Sequence, residues 1–382
     1  MQLTELEVSL KKAMASVGNA GLFGGSGSVE LAGEAFRDLQ LLAQAHGRVF
    51  TVWVGLTPVV VLSGFQAVKE ALVSNSEQLS GRPLTPLFRD LFGERGRAAL
   101  PVGDGAAAGC CTQGVVQAST VNKEGTSERI NVPVELTQAI DFGLAFVSTV
   151  WRRASDDPVS TFNEENLIQV VTDLFLAGTD TTATTLRWAL IYMVQHRVIQ
   201  DRVQQELDEV LGAASAICYQ DRERLPYTCA VLHEVQRLSS VVAVGAVRQC
   251  VTSTHVCGYP VPKGTIILPN LASVLYDPEC WATPRQFNPG HFLDKDGSFV
   301  VNEAFLPFSA GHRMCPGDQL ARMELFLMFA TLLRNFRFQL PEGSSGLRLE
   351  YIFGGTLQPQ PQEICAVPRL GSPSPGPRAE GQ

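Results

Sequence analysis

The run Phe308-Ser309-Ala310-Gly311-His312-Arg313-Met314-Cys315-Pro316-Gly317 constrains this chain more than any other stretch. A cysteine is followed at once by Pro316 and Gly317, and then by about twenty largely apolar residues that read as a helix over Pro316 to Phe336. A thiolate ahead of a helix N-terminus gains from the free N–H groups and the positive end of the helix dipole, which lower the thiol pKa. Gly311 and Gly317 let backbone approach a flat ligand closely and turn sharply. Arg313 places a cation two residues from the sulfur, suited to a carboxylate on such a ligand. Phe308 supplies an apolar wall. Taken alone, a cysteine at a helix start reads as a buried, inert thiol; the whole run points instead to a metal-bound sulfur.

The chain around it has 382 residues, enough for a large core. Hydrophobic residues make up 45% and charged residues 18%, which excludes wholesale disorder. A net charge of −8 argues against a general nucleic-acid binder. Nine cysteines, odd in number and without framework spacing, read as reduced thiols. Cys250, His255 and Cys257 lie close together, but their spacing does not suit zinc. No run reaches the roughly 18 apolar residues of a membrane-spanning helix. Met1 to Asn19 lacks the basic-then-apolar order of a signal peptide.

Gly21 to Gly33 reads as a Gly/Ser loop without the features of a phosphate cradle. Glu34 to His46 has helical periodicity, Val49 to Val54 and Pro58 to Leu62 read as a hairpin, and Phe65 to Ser74 returns to helix. Residues 95–160 show no stable period and read as loop, disorder or sequence foreign to the surrounding fold. Helices are predicted at Glu164 to Gln195, Val198 to Leu211 and Leu225 to Leu238, the last begun by Pro226. Short strands with turns fill Val241 to Leu268. A Pro- and aromatic-rich loop covers Asp277 to Gly297, and Leu347 to Pro368 reads as one final β-hairpin. Five segments result: 1–33, 34–94, the atypical 95–160, a core at 161–370, and a Pro/Gly/Ser-rich tail at 371–382.

Two further constellations carry chemistry. Ala177-Gly178-Thr179-Asp180-Thr181-Thr182 interrupts the long helix. Gly178 costs about 1 kcal/mol relative to alanine there, and the threonines back-bond to carbonyls. An acid and a hydroxyl inside an apolar helix could pass protons to a ligand; a helix contact built of small residues is an even alternative. Glu234 and Arg237 share a helix face and can pair, which alone reads as a surface ion pair worth under about 1 kcal/mol.

The phenylalanine, glycine, arginine, cysteine and glycine at 308, 311, 313, 315 and 317 match FxxGxRxCxG, and the chain thereby resembles the cytochromes P450. The match runs from about Thr161 to Arg369 in continuous motif order, resembles animal microsomal family-2 enzymes most, and extends to Phe36 to Pro83. The resemblance implies a mainly α fold with small β-sheets, here incomplete. It implies haem b (iron protoporphyrin IX), with Cys315 as axial ligand and Arg313 on a propionate. Phe308, Gly311, Gly317 and Ala177 would line the cofactor. A cysteine thiolate on haem iron favours O–O cleavage. Asp180 and Thr181 map to proton delivery to bound oxygen. Glu234 and Arg237 map to the ExxR motif, completed by His291 where many members carry arginine. Arg248 maps to a second propionate partner, with a solvated strand-edge arginine as the equal alternative. Val242, Val244, Thr356 and Leu357 fall where the family lines its substrate pocket, although each suits an ordinary core.

The implied activity is insertion of one O2-derived oxygen into a lipophilic small molecule (xenobiotic, fatty acid or steroid). Electrons would come from NADPH through NADPH–cytochrome P450 reductase, with cytochrome b5 as a further partner, at the endoplasmic reticulum membrane. Arg313, Arg322 or Arg334 would meet the reductase. The resemblance finds no counterpart here for the family's N-terminal anchor or for the helices between the second and the central helix. A truncated or alternatively spliced chain is therefore expected, one that binds haem weakly or not at all. Two rival readings are a non-catalytic fragment and a haem-thiolate isomerase or dehydratase; retention of Asp180 and Thr181 favours the monooxygenase over the latter.

Overall fold

The computed structural model describes residues 39–54, 57–83, 120–121, 127–128, 164–212, 216–353 and 355–369. The expectations for 1–33 and 371–382, and nearly all of that for 95–160, lie outside them.

The described chain is mainly α with small sheets. Residues 39–46 form helix α1. The alternating strands β1 (Val49–Val54) and β2 (Thr57–Ser63) pair antiparallel, Val49 opposite Leu62. β2 then pairs in parallel with β8 (Ile266–Asn270), and β8 carries β5 (Arg248–Gln249) on its other edge. Leu39, Leu42, Phe50 and Val61 bury one face of this four-stranded sheet against α1. Four two-stranded ladders complete the β-structure: β3 (Thr120–Val121) with β4 (Ser127–Glu128), β6 (Thr254–Val256) with β7 (Tyr259–Val261), β10 (Tyr351–Phe353) with β11 (Leu357–Pro359), and β9 (Phe336–Gln339) with β12 (Cys365–Pro368).

The last two ladders correct the single hairpin expected over Leu347 to Pro368. β12 pairs with β9, Cys365 opposite Gln339, and not with its own neighbour. Pro359 and Pro361 lack the N–H a continuous ladder needs, so the chain leaves one pairing before entering the next. The helix expected to reach Phe336 ends at Asn335 because β9 begins there.

α2 (Phe65–Lys69) runs on as a π-helical turn, Glu70–Ser74. The principal helices are α3 (Glu164–Gln195), α4 (Arg197–Leu211), α5 (Pro226–Ser239) and α7 (Asp318–Asn335), with the short α6 (Leu271–Leu275) after β8. α7 buries Leu320, Phe326, Leu327, Phe329 and Leu333 and packs against α3, α4 and α5. The N–H groups that open α5, on Tyr227 and Thr228, find their acceptors in the Glu206 carboxylate of α4 at 2.8 and 2.7 Å, which satisfies donors that Pro226 could not cap. Buried Gln200 bolts α4 to β9: its amide donates to the Met193 and Phe338 carbonyls and accepts from the Phe338 N–H.

Candidate functional site

The Cys315 loop is held from three sides. On itself, Cys315 N–H donates to the Phe308 carbonyl at 2.9 Å and Met314 N–H to Gly311 at 3.0 Å, closing a tight turn before α7. Against the turn that follows the π-helical segment, His312 N–H donates to Ser76 Oγ at 2.8 Å and Arg313 Nε to the Ser80 carbonyl at 2.8 Å. Against β5, Arg248 Nη2 donates to the Arg313 carbonyl at 2.7 Å and to Ser309 Oγ at 3.2 Å. The free thiol departs from the expectation of a lowered pKa. Burial pushes it up, opposed by a hydrogen bond from the Gly317 N–H, while Asp318 pushes it up further. Desolvation outweighs the helix end until a cation binds, since a coordinated thiol is deprotonated outright.

Arg248 sits at 2% exposure, and its Nε and Nη1 donors have no hydrogen-bond partner. Its pKa is pulled down to about 9, first by burial and then by two further guanidiniums, Arg82 and Arg313. Arg82 is likewise lowered to about 10 by burial and by Arg313, while donating to the Ala246 and Val247 carbonyls. No carboxylate among the described residues is paired with Arg82 or Arg248. Three mutually repelling cations around the orphaned, buried donors of Arg248 call for an anion there. The carboxylates of haem b beside a cysteine sulfur fit that donor set. Arg82 was not singled out in the sequence: a lone cation in a Gly-Arg-Pro turn carries no signal. It is placed only by the bridge between Gly81 and Gln249, where a Cβ on Gly81 would lie 2.6 Å from the Gln249 carbonyl.

Behind the loop, Phe308 lies under the Arg322 guanidinium at 4.8 Å from its ring centroid. Arg322 in turn donates to Nε2 of His233, whose Nδ1 bonds the Cys229 carbonyl at 2.8 Å. Phe292, Phe299 and Phe305 surround the imidazole. Burial, and then Arg322, hold His233 down to about 4, against the Cys229 bond. Since the unfolded value is near 6.5, this neutral histidine stabilises the fold fully above pH 6.5, and that contribution is lost as pH falls from 6.5 to 4. Up to about 3 kcal/mol is at stake. We expect the midpoint of urea unfolding to fall across that window in the parent and to fall less steeply in His233→Phe; parallel profiles would show that another group dominates.

Glu234, Arg237 and His291 are brought together. Arg237 and Glu234 are fully buried and form a bidentate pair, Nε to Oε2 at 2.7 Å and Nη2 to Oε1 at 2.8 Å. The remaining guanidinium donors reach the Leu275, Pro284 and Gln286 carbonyls. His291 Nδ1 lies 3.2 Å from Glu234 Oε2. Its Nε2 accepts from the Thr283 N–H at 3.2 Å, so its proton sits on Nδ1 and points at the carboxylate. This is a buried structural knot, unlike the exposed ion pair that the i, i+3 spacing alone would suggest.

On α3, Thr181 Oγ1 donates back to the Ala177 carbonyl at 2.7 Å, and Thr185 to Thr181 at 2.8 Å. Asp180 does not face open space: Thr356 Oγ1 donates to Oδ2 at 2.7 Å and Gln358 Nε2 to Oδ1 at 3.1 Å. Thr356 and Leu357 are both buried, whereas Val242 and Val244 divide between the α-helical and β-sheet clusters. On the preceding part of α3, Phe175 is 40% exposed and Ala177 is exposed as well. An open cavity of about 590 Å³ lies at the far end of α3, lined by Trp188, Tyr192, Phe287 and Tyr351; none of the signature residues borders it.

Arg322 bonds His233 as described, and Arg334 donates to the Gly212 carbonyl at 3.0 Å. Cys250 is buried against the Thr252 and Val261 carbonyls while Cys257 is exposed beside Glu70. No helix among the described residues is long and apolar enough to cross a membrane.

Comparison with known proteins identifies the family. The family model for Cytochrome P450 matches residues 17–103 and 118–366. Over 229 residues the chain is 48% identical to cytochrome P450 2D6 of Pan troglodytes, covering 60% of this chain and 46% of that protein. It is 47% identical over 225 residues to cytochrome P450 2D4 of Rattus norvegicus, covering 59% and 45%, and 46% identical over 244 residues to cytochrome P450 2D9 of Mus musculus, covering 64% and 47%. The chain thus spans about half the length of the curated relatives it matches.

Proposed function

The chain belongs to the cytochrome P450 family, and from that premise we propose that it is a haem-thiolate monooxygenase acting on a lipophilic small molecule. The observation that carries the reading is the buried guanidinium of Arg248, its Nε and Nη1 without partners, beside Arg82, Arg313 and the Cys315 loop. Haem b, when bound, supplies the oxygen-activating chemistry of the family. Cys315 would hold the iron, and Arg248, Arg82 and Arg313 would take its carboxylates. Phe308, through Arg322 and His233, keeps the loop packed on α7, and Thr181 lies on the helix proposed to face the opposite side of the cofactor. The electron source proposed is NADPH through NADPH–cytochrome P450 reductase or cytochrome b5, at the endoplasmic reticulum membrane.

The test separates the cofactor site from the fold. In the haem-free chain Arg248→Met should hold or raise stability, because a buried, unpaired charge is removed. With haem the same variant should bind roughly tenfold to a hundredfold more weakly, since it loses charge-assisted bonds to a carboxylate. Optical titration with haem reads the affinity. In the reduced, carbon monoxide-bound protein Cys315→Ala should abolish the thiolate-type band. Equal haem affinity in the parent and Arg248→Met would overturn the assignment of the anion site.

A second reading rests on the exposure of Phe175 and Ala177 on α3. A site open on that side would admit water and hold haem weakly. Parent protein that folds but shows no thiolate-type band would favour this non-catalytic reading.

A further inference from the structure

We propose that Gln358 is a positioning residue for Asp180: with Thr356 it latches the carboxylate to the β10–β11 hairpin and thereby governs how protons are supplied on the α3 side of the site. The inference rests on the monooxygenase reading above.

Thr356, in the bend just before β11, and Gln358, within β11, present two donors together, and each takes a different oxygen of Asp180, at 2.7 and 3.1 Å. Both oxygens are thus fixed, so the carboxylate has one orientation where an unpaired aspartate on a helix would have several. The neighbouring Thr181 has already spent its hydroxyl proton on the Ala177 carbonyl. In this arrangement it can only accept, so a proton reaching it must come from another group, and Asp180 is the adjacent acid.

The latch is separable from the hairpin's own attachment. β11 is held to α3 through backbone carbonyls, with Trp188 Nε1 donating to Leu357 at 2.8 Å and Arg187 Nη2 to Pro359 at 3.2 Å. The Leu357 N–H also donates to the Val241 carbonyl at 2.9 Å. None of these bonds depends on the side chain at 358. Changing Gln358 should therefore leave the hairpin in place and release only the carboxylate.

Three variants test this. Gln358→Leu removes the donor. Gln358→Glu keeps the size but sets an acceptor against an acceptor. Asp180→Asn combined with Gln358→Glu reverses donor and acceptor and restores a bond without restoring an acid. In the unloaded chain, urea midpoints should show the double variant recovering what Gln358→Glu loses. In the haem-loaded full chain with reductase and NADPH, product formed per NADPH consumed should fall roughly tenfold in Gln358→Leu and Gln358→Glu. That is less than the about hundredfold cost of a 1 Å misplacement, because the acid remains. The double variant should stay low despite its restored stability, a split that a purely structural role would not give.

Unchanged product yield in both single variants, with the thiolate-type carbon monoxide band intact, would overturn the latch and leave the monooxygenase reading standing. Recovery of yield in the double variant would also overturn it, because the acid would then be dispensable. Absence of the band in the parent would instead sink the reading on which the latch depends.

Discussion

Arg237→Leu is expected to destabilise the chain by about 3–5 kcal/mol, the cost of removing one member of a buried ion pair and leaving the other uncompensated. Glu234 would keep only the Asn288 N–H and His291 as donors, inside a site at zero exposure. Three carbonyls, on Leu275, Pro284 and Gln286, would lose their donor at the same time, each a further cost if water does not replace it. Because single domains are stable by only about 5–15 kcal/mol, the loss should show as a large drop in the urea midpoint and in soluble yield. Removing both charges tests the cause. In Glu234→Leu/Arg237→Leu the stranded carboxylate is gone, so part of the stability should return; the three carbonyls remain, so recovery should stop short of the parent. A single variant that costs under about 1 kcal/mol would mean that the pair is solvated and that the knot does not hold the segment leading to the Cys315 loop.

That knot was half legible in the sequence. Glu234 and Arg237 announce a pair by spacing, but burial separates a weak surface bridge from this one, and burial comes from Trp281 and the 283–291 segment folding over α5. The same division runs through the molecule. The hairpin of Val49–Val54 and Thr57–Ser63 and the helix Glu164–Gln195 follow from local periodicity, which sequence displays directly. The pairing of β9 with β12 and the parallel register of β2 with β8 join residues that are far apart, and no local pattern encodes them. Arg82 joins the anion site for the same reason, through a bridge to a strand 168 positions onward. Asp180 was recognisable as an unusual acid in an apolar helix, yet its partners lie on another hairpin, so its orientation was invisible. Cys315 shows a different limit. The helix end that should lower a thiol is visible in sequence, while the desolvation that raises it is a property of the packed loop.

Gly311→Ala should act on the site itself, and by more than alanine's size suggests. Gly311 has φ +71°, a region where a side chain costs about 1–3 kcal/mol. A Cβ there would also lie 1.6 Å from the Leu72 carbonyl oxygen and 2.8 Å from Ser76 Oγ. The first clash is with backbone, in the π-helical turn Glu70–Ser74, so no side-chain rotation relieves it. The loop must move off the π-helical turn and the turn that follows it, losing the His312 bond to Ser76 and the Arg313 bond to Ser80, and overpacking of this kind adds about 1–3 kcal/mol. A total of about 2–6 kcal/mol follows, with Arg313 and Arg248 displaced together because the Arg313 carbonyl anchors Arg248. Gly317→Ala is the control. Its φ is −95° and a Cβ there meets nothing within 4 Å, so the haem-free chain should tolerate it within about 0.5 kcal/mol. Urea unfolding of the haem-free variants compares the two directly. If Gly317→Ala then weakens haem binding without altering that stability, the constraint on Gly317 comes from the cofactor, whereas the constraint on Gly311 comes from the protein. Equal tolerance at both positions would show that the Cys315 loop is not docked on the π-helical turn.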